Sequence, residues 1–437
     1  MSKRSKPQQS SLPLGLEGVR FIEIKESQGS LTIRVEKDVD FGVCPHCGVL
    51  TQKVNDRRIH PLIDQPVFEF EVKLEVQKRR WKCINDFCPC QTFTEEVEGL
   101  ARGCRQTQLF RHYVYQLSRH MTLVGVKRHL AETFHCSVGI ATIYRITQNC
   151  LVEKIKLPEG VEVAYIGLDE FSKGTGHDYG VCLTDLTEHK VIDTADGGKT
   201  KKAAKTVLSV INPSKVKACA MDMWEPFADA CREVIPHAAI VIDHYHVVKT
   251  VNDALNDVRK RVKRHLKSKA KKEALFKYRK VLSYGGEDLS EKQEARLWEI
   301  LSWDKQLSRA YELKEVLRSI YVVEDAGQAA RELETWLEVA FDSDIPEIVE
   351  AAQTLSNWKP EILNFWIHRI TNAITEGKIN KIKALRRRAF NYNSFQNLRL
   401  KILEQEEVVV RSPYPKKRKK KAVKQHPDFW KRYSDDI

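Results

Sequence analysis

The sequence predicts a multidomain α+β protein, and three observations carry that reading. Near the N-terminus, two close pairs of cysteines stand among runs in which apolar and polar residues alternate. Between residues 161 and 250, strand and helix signals follow one another in an informative order, with acids at strand ends. From 250 to 370 the pattern is almost wholly helical. A chain of 437 residues has room for several domains of roughly 100–200 residues each.

Composition narrows the partners. There are 73 Lys+Arg against 59 Asp+Glu, a formal net charge of +14, with 42% hydrophobic and 30% charged residues. Such a chain is globular rather than disordered or fibrous. Excess positive charge favours a polyanion, because Lys and Arg release counterions from phosphates. An acidic membrane is the rival, but no basic amphipathic terminal helix or lipidation motif supports it. No run approaches the ~18 apolar residues that a membrane helix needs. The opening MSKRSKPQQSSLPLGLEG is basic without an apolar core, so it is not read as a secretory signal, and a cytoplasmic protein is expected. An odd count of 11 cysteines argues against a disulfide framework. Cys136, Cys182 and Cys219, scattered singly, are expected to be small buried hydrophobes.

Residues 31–36, LTIRVE, alternate, and so do residues 67–77, where Phe68, Phe70, Val72, Leu74 and Val76 fall on one strand face. These runs flank Cys44-Pro-His-Cys47 and Cys83-Ile-Asn-Asp-Phe-Cys88. Zinc takes four soft ligands, and each short Cys loop presents two. Cys44, Cys47, Cys83 and Cys88 are therefore expected to hold structural Zn²⁺ in a zinc ribbon over 1–100, with Cys90 and His46 as spare ligands. Four thiolates close the site, so water has no open position and the role is not catalytic.

From 101 to 155 the pattern turns helical. Val124, Val126, Leu130 and Phe134 form an apolar stripe, and a break at His135-Cys136-Ser137 leads into a second helix from Gly139. Helix, short turn and second helix is what a helix-turn-helix requires, although any helical hairpin has the same outline. Beside a zinc knuckle in a basic chain, DNA reading is expected, with Arg128, Thr142, Tyr144 and Arg145 as contacts.

Over 160–250, three strands in a meander (VEVAYIGLDEF, DYGVCLTDL and KVIDTADGG) precede a helix from Thr200 to Val210. A fourth strand VKACAMD, a helix from Pro226 to Val234 and a fifth strand HAAIVIDHYH follow. This is the ribonuclease-H-like order. Asp169 lies within the first strand, Asp222 at the end of the fourth and Glu376 on a late helix. Adjacent first and fourth strands bring the two Asp side chains together, and carboxylates that close need a cation between them. Two Mg²⁺ (or Mn²⁺) ions about 3.5–4 Å apart serve in-line phosphoryl transfer.

Residues 251–368 read as a helical insertion domain that closes over DNA, with Trp298, Trp303, Trp336, Trp358 and Trp366 as core anchors. It opens with the basic helix VRKRVKRHLKSKAKKEALFKYRK, suited to tracking phosphates. Residues 369–405 return a closing helix to the core. There Glu376, Asn380, Lys383 and Arg387 are spaced i, i+4, i+7, i+11 on one helical face, a carboxylate for metal followed by an amide and two cations. A basic tail over 406–437, Lys416–Lys421 with Lys424, is expected to bind phosphates.

These residues carry a family resemblance. In CPHCG, CINDFC, GLDEF…KGTGHDYGVCLTDL, MDMWEPFADACREVIPHAAIVIDHYHVVKTVNDALNDVR and TNAITEGKINKIKALRRRAFNYNSFQNLRLKIL, the chain resembles insertion-sequence transposases of the ISL-three family, DDE-class enzymes. Within the resemblance, Asp169, Asp222 and Glu376 fall where that family's metal-binding triad lies. Asp243-His-Tyr-His246 looks like the D-x-x-H element of related transposases, implying that Asp243 and His246 support the metal ligands or position DNA. FSKGTGHDY after Asp169 departs from the expected longer basic run. The resemblance implies a bacterial, nucleoid-associated enzyme that cuts at its element's ends and joins the freed 3′-OH to target DNA. It also implies a homodimer or higher oligomer on DNA, without a membrane. Two other readings stand beside it: a non-catalytic zinc-ribbon/helix-turn-helix regulator derived from a transposase, and a metal-dependent nuclease acting on RNA or repair intermediates.

Overall fold

The computed structural model describes residues 16, 18–98, 100, 103, 105–174, 178–388 and 394–406. The chain forms two compact units, Met1–Lys156 and Leu157–Ile437. The expected basic run Lys416–Lys421 with Lys424 lies outside the described residues, as does part of the FSKGTGHDY stretch. No helix among the described residues is long and apolar enough to cross a membrane.

The first unit is a twisted sheet followed by three helices. Strands β1 (Val19–Ser27) and β2 (Ser30–Lys37) make a hairpin, and β3 (Gly42–Val43) pairs with β4 (Leu50–Thr51). Strands β5 (Val54–Val67) and β6 (Phe70–Lys82) make a second hairpin, with β7 (Thr92–Thr94) on β6, and the sheet runs β1-β2-β6-β5. Val72, Leu74 and Val76 alternate inward and bury their side chains with Ile33, Val35 and Leu62, as the period of two requires. Phe68 does not join them. It occupies the turn between β5 and β6 with φ 54°, 87% exposed. The register pairs Val67 with Phe70, so the strand read across 67–77 is broken by a tight turn whose positive φ falls on a residue that gives no turn signal.

Helices α1 (Gln108–His120), α2 (Leu123–Phe134) and α3 (Ile140–Lys154) pack on one another. Thr107 and Thr122 cap the first two by accepting from the backbone N–H of Phe110 and Gly125. His135, at φ 55°, ends α2 in the left-handed conformation and turns the chain toward α3. Val126 and Leu130 are buried and Phe134 half-buried, whereas Val124 is 53% exposed and leaves the expected stripe. It stands at the second position of α2, two residues before Val126 and so on the opposite side of the helix.

The second unit is built on a mixed sheet. Its strands are β8 (Tyr165–Ser172), β9 (Tyr179–Asp185), β10 (Lys190–Asp196), β11 (Ala218–Met221) and β12 (Ala239–Ile242), with α4 (Lys201–Leu208) and α5 (Glu225–Val234) between the later ones. The order is β10-β9-β8-β11-β12, antiparallel among the first three and parallel from β8 to β12. Helices α6 (His244–His265), α7 (Lys269–Lys277), α8 (Arg279–Ser283), α9 (Glu291–Leu301), α10 (Lys305–Ile320), α11 (Ala326–Phe341), α12 (Pro346–Asn357) and α13 (Lys359–His368) follow. Finally come α14 (Ala373–Arg388) and α15 (Phe395–Glu406).

Alternation along the strands assigns the two sheet faces. Ile166, Leu168, Val181 and Leu183 point into a core continuous with α4, α5 and the helices from α6 to α13. Phe171 and Cys182 point the other way, into a core closed by Ile379, Ile382 and Leu385 of α14 and Leu398 and Ile402 of α15. Asp169 therefore shares its face with Phe171, beneath α14. Cys136, Cys182 and Cys219 are buried, as expected.

Three sequence expectations need correction here. The fifth strand stops at Ile242, because Asp243 caps α6 by accepting from Tyr245 N (2.8 Å), and His246 stands on the first helical turn. The single basic helix is interrupted at residues 266–268, where Ser268 starts a new helix. Trp336, Trp358 and Trp366 are buried and Trp303 is packed against the core, but Trp298 is 60% exposed, since α9 turns Leu297, Ile300 and Leu301 inward.

Candidate metal centre and candidate active site

The metal centre of the first unit is made by two turns. Gly48, at φ 72°, donates its N–H to Cys44 O (2.9 Å) and closes the first Cys loop. In the second, Asn85 accepts from Phe87 N (3.1 Å) through its side chain and from Cys88 N (3.0 Å) through its carbonyl. The sulfurs of Cys44, Cys47, Cys83 and Cys88 come within 4.8 Å of one another. Cys44 Sγ stands 3.9 Å from Cys88 Sγ, and Cys47 Sγ 3.6 Å from Cys83 Sγ. Ligands on a tetrahedron with zinc–sulfur bonds of ~2.3 Å lie about 3.8 Å apart, so the residues fit the ion. A backbone N–H aimed at Cys44 lowers its thiol to about 6, while burial and the neighbouring sulfurs push Cys88 up to about 12. Four thiolates cannot ionise together there without a cation. Cys90 turns its thiol toward Thr92 O (3.7 Å), and His46 Nδ1 rests 3.6 Å from Cys88 Sγ, beside the cluster rather than in it. Beneath the knuckle, buried Arg79 pairs with Glu95 (3.0 Å) and donates to Lys37 O (2.9 Å). Gly42 leaves room for the Trp81 ring, which a Cβ would meet at 2.5 Å.

Among the DNA-contact residues expected from sequence, Arg128 is exposed on α2, and Thr142, Tyr144 and Arg145 lie on the first turns of α3. Arg145 Nη2 reaches Thr142 Oγ1 at 3.4 Å.

The second unit gathers carboxylates where β8 and β11 run parallel. Ala220 is level with Gly167, so two residues on, Asp222 comes level with Asp169. Oxygens of Asp169, Glu170 and Asp222 lie within 4.8 Å of one another. Asp169 Oδ1 accepts from Glu170 N at 2.7 Å. Burial, and then the charges of Asp222 and Glu170, push the Asp169 carboxyl up to about 8. His246 Nε2 stands 2.9 Å from Asp222 Oδ1, yet that buried oxygen receives no well-aligned hydrogen bond. Burial pulls the His246 imidazole down, but Asp222, Asp243 and Asp169 outweigh it and leave it above its ordinary value. Clustered carboxylates with an unsatisfied buried oxygen fit a hard divalent cation.

Glu170 and Lys199 were not singled out in the sequence. Lys199 pairs with Glu170 and sits over the rings of Tyr179 (5.4 Å) and Trp224 (5.8 Å). With Asp222, His246 and Lys249 they line a cavity of about 220 Å³. The adjacency of Glu170 to Asp169 in the sequence was the signal available for it; Lys199 left none.

Glu376 is not one of the clustered acids. It is exposed on the first turn of α14, whose buried face is Thr375, Ile379, Ile382 and Leu385. Asn380 and Arg387 are exposed on the same side, and Lys383 half-buried. The start of α14 is nonetheless fixed to the site. Asp243 Oδ2 accepts from Asn372 N (2.6 Å), Asn372 Nδ2 donates to Leu168 O (3.3 Å), and the hydroxyls of Thr375 and Thr184 share a hydrogen bond of 2.6 Å. Asp243 thus joins the head of α6 to the head of α14, a link the sequence did not reveal.

A family model described as "Transposase", the ISL3 type, matches residues 166–402, more than half of the chain and the whole of this carboxylate site. The chain belongs to the ISL3 family of transposases. A second model, for the "zinc-finger of transposase IS204/IS1001/IS1096/IS1165", matches residues 40–88 of this ISL3 transposase and so contains the four clustered cysteines. The chain is 26% identical over 391 residues to the "Transposase for insertion sequence element IS1001" of Bordetella parapertussis, covering 88% of this chain and 94% of that protein. It is 28% identical over 258 residues to the "Transposase for insertion sequence element IS1557" of Mycobacterium tuberculosis, covering 53% of this chain and 58% of that one.

Proposed function

We propose that this transposase binds the ends of its insertion sequence, cleaves the DNA there and joins the released 3′-OH ends to target DNA. The observation that carries the reading is the parallel register that brings Asp169 and Asp222 together on one sheet face. The sheet order, with α14 and α15 on that face, supports a ribonuclease-H-like catalytic core running 160–250 and closed by 369–405, with 251–368 inserted.

Asp169, Asp222 and Glu376 are the proposed ligands of Mg²⁺ or Mn²⁺. When bound, two such ions supply activation of the attacking hydroxyl and stabilisation of the leaving oxygen. Glu376 would act from the head of α14, which Asn372 and Thr375 seat against β8 and β9. His246 positions Asp222, and Asp243 positions the head of α14. In the first step the oxygen of water bonds to phosphorus and the 3′ oxygen leaves. In the second that 3′-OH bonds to a target phosphorus and displaces the target's own 3′ oxygen. Neither step needs a covalent protein intermediate.

The zinc ribbon (1–100) and the helix-turn-helix (101–155) would read the element's ends, with Arg128, Thr142, Tyr144 and Arg145 as contacts. Asn380, Lys383 and Arg387 would meet the phosphate backbone. The protein would work on DNA as a homodimer or higher oligomer, in the bacterial cytoplasm near the nucleoid. A non-catalytic regulator is not favoured, since clustered, half-buried carboxylates repel one another and add nothing to DNA binding. The test is incubation of the purified protein with DNA flanking its gene and Mg²⁺, followed by mapping of ends. Discrete new 3′ ends at the element's termini are expected; intact DNA with both Mg²⁺ and Mn²⁺ would overturn the reading.

A further inference from the structure

Within the first unit, a cavity of about 420 Å³ opens between α1, α3 and the segment that leads into α1. Arg105 from that segment, Arg111 of α1 and Arg145 of α3 all line it, and Gln106, Thr142 and Asn149 add neutral hydrogen-bonding groups. No acid lines it. None of the three guanidinium groups makes an ion pair among the described residues, and the Arg145 contact to Thr142 Oγ1 leaves most of its donors free. Elsewhere in this unit arginines do find carboxylates: Arg20 with Glu36, Arg34 with Glu75, Arg79 with Glu95. Three like charges lining one cavity repel, and among the described residues the nearest lining carboxylate, Glu75 of the adjoining cavity that shares Arg105, is already paired with Arg34 (2.6 Å). An anion from outside would supply the counter-charge.

The neighbouring features suit an oxyanion. Gly139 caps α3 without a side-chain hydrogen bond, and although Thr142 N already donates to Gly139 O (2.9 Å), the Thr142 hydroxyl on this first, electropositive turn lines the cavity. Arginine's planar fork matches the paired oxygens of a phosphate. Thr142, Arg145 and Asn149 also recur at i, i+3 and i+7, one stripe of α3 facing the cavity.

We propose that this cavity is a phosphodiester-binding pocket that takes a backbone phosphate of duplex DNA. It rests on the reading of the first unit as a DNA-binding module and deepens it. Arg105 and Arg111 become contacts, and Arg145 is assigned to phosphate rather than to a base edge. The pocket fixes where α3 lies along the duplex and carries no sequence information itself.

The test uses the full-length protein and two duplexes, one from the DNA flanking its gene and one of random sequence. Affinity is measured across salt for the parent, for Arg105→Gln, Arg111→Gln and Arg145→Gln, and for the triple variant. Each phosphate contacted contributes about 0.9 to the slope of log affinity against log salt. Because the three arginines serve one phosphate, the triple variant should lose about 0.9 of slope on both duplexes. That is roughly 3.5-fold less salt sensitivity between 50 and 200 mM. The ratio of affinities for the two duplexes should stay unchanged, and each single variant should already show much of the loss. The triple Arg→Lys variant keeps the charge and should recover the slope, which separates a lost contact from a lost fold. An unchanged slope in the triple Gln variant, with parent binding intact, overturns the pocket and leaves the DNA-binding reading standing. Failure of the parent to bind either duplex overturns both. Inorganic phosphate that binds the parent, but not the triple variant, with an affinity no duplex exceeds would assign the cavity to a free phosphate and overturn the DNA proposal.

Discussion

Gly167→Ala is the substitution that isolates the seating of α14, and with it the placement of Glu376. A Cβ at this position would stand 2.1 Å from Thr375 Oγ1, 2.7 Å from Thr184 Oγ1 and 2.8 Å from Asn372 Oδ1. Ordinary contact begins at 3.4 Å, and all three neighbours belong to the hydrogen-bonded joint between β8, β9 and the head of α14. Relief takes movement on the order of 1 Å, and overpacking of this kind costs about 1–3 kcal/mol. At about 2–4 °C per kcal/mol, a thermal scan should show a lower Tm by several degrees. A displacement near 1 Å at a catalytic group lowers turnover by about 10²-fold, well beyond the effect of the stability loss below the transition. Ile300→Val is the control. It removes a methyl from the buried face of α9 at about 0.5–1.5 kcal/mol and should leave cleavage within a few-fold of the parent. Adding Thr375→Ala to Gly167→Ala deletes the closest hydroxyl and should restore part of both losses, a coupling a double-mutant cycle reads directly. If Gly167→Ala keeps the parent's Tm and cleaves as fast, α14 is not seated on this glycine and the placement of Glu376 falls with it.

Two further outcomes follow from the thiolate cluster and the carboxylate site. Purified protein should carry zinc at the thiolate cluster; Cys88→Ser should lose it and unfold the N-terminal module, since structural zinc contributes on the order of 10 kcal/mol in small units. Cys90→Ser should keep the metal, because its thiol points at Thr92 O, and elemental analysis of both variants decides between them. The second outcome concerns pH. Asp169 holds its proton more tightly folded than unfolded, up to about 8, so in chelator this group costs stability progressively as pH rises from the ordinary carboxylate range through 8. Asp169→Asn removes that dependence, and the Tm of the variant should gain on the parent as pH rises; parallel curves would contradict the burial argument.

The sequence made the thiolate cluster legible because each pair is local, and the intervening strands had only to close the distance. Asp169, within one strand, and Asp222, just past the end of another, were legible because the order of those strands could be read. Phe68, Val124 and Trp298 were misplaced for one reason: periodicity names a face but not where a turn cuts it or which neighbour covers it. Glu170 entered the cluster although it alternates with Asp169 along β8, and Lys199 through a loop whose carbonyl accepts from Trp224 Nε1 (3.0 Å), neither of which leaves a periodic trace. The joint of Asp243 with Asn372 spans 129 positions of sequence and depends on α6 and α14 meeting at their heads.

The most direct measurement of the central claim compares cleavage of the flanking DNA by the parent with that by Asp169→Asn, Asp222→Asn and Glu376→Gln in Mg²⁺. Each amide keeps the side-chain volume and removes one negative charge from the proposed ion site. Cleavage and strand transfer should fall by several orders of magnitude in all three while duplex binding persists. A variant of Asp169 or Asp222 that cleaves as well as the parent would contradict the account of the carboxylate site. Retained cleavage in Glu376→Gln alone would move the third ligand away from α14.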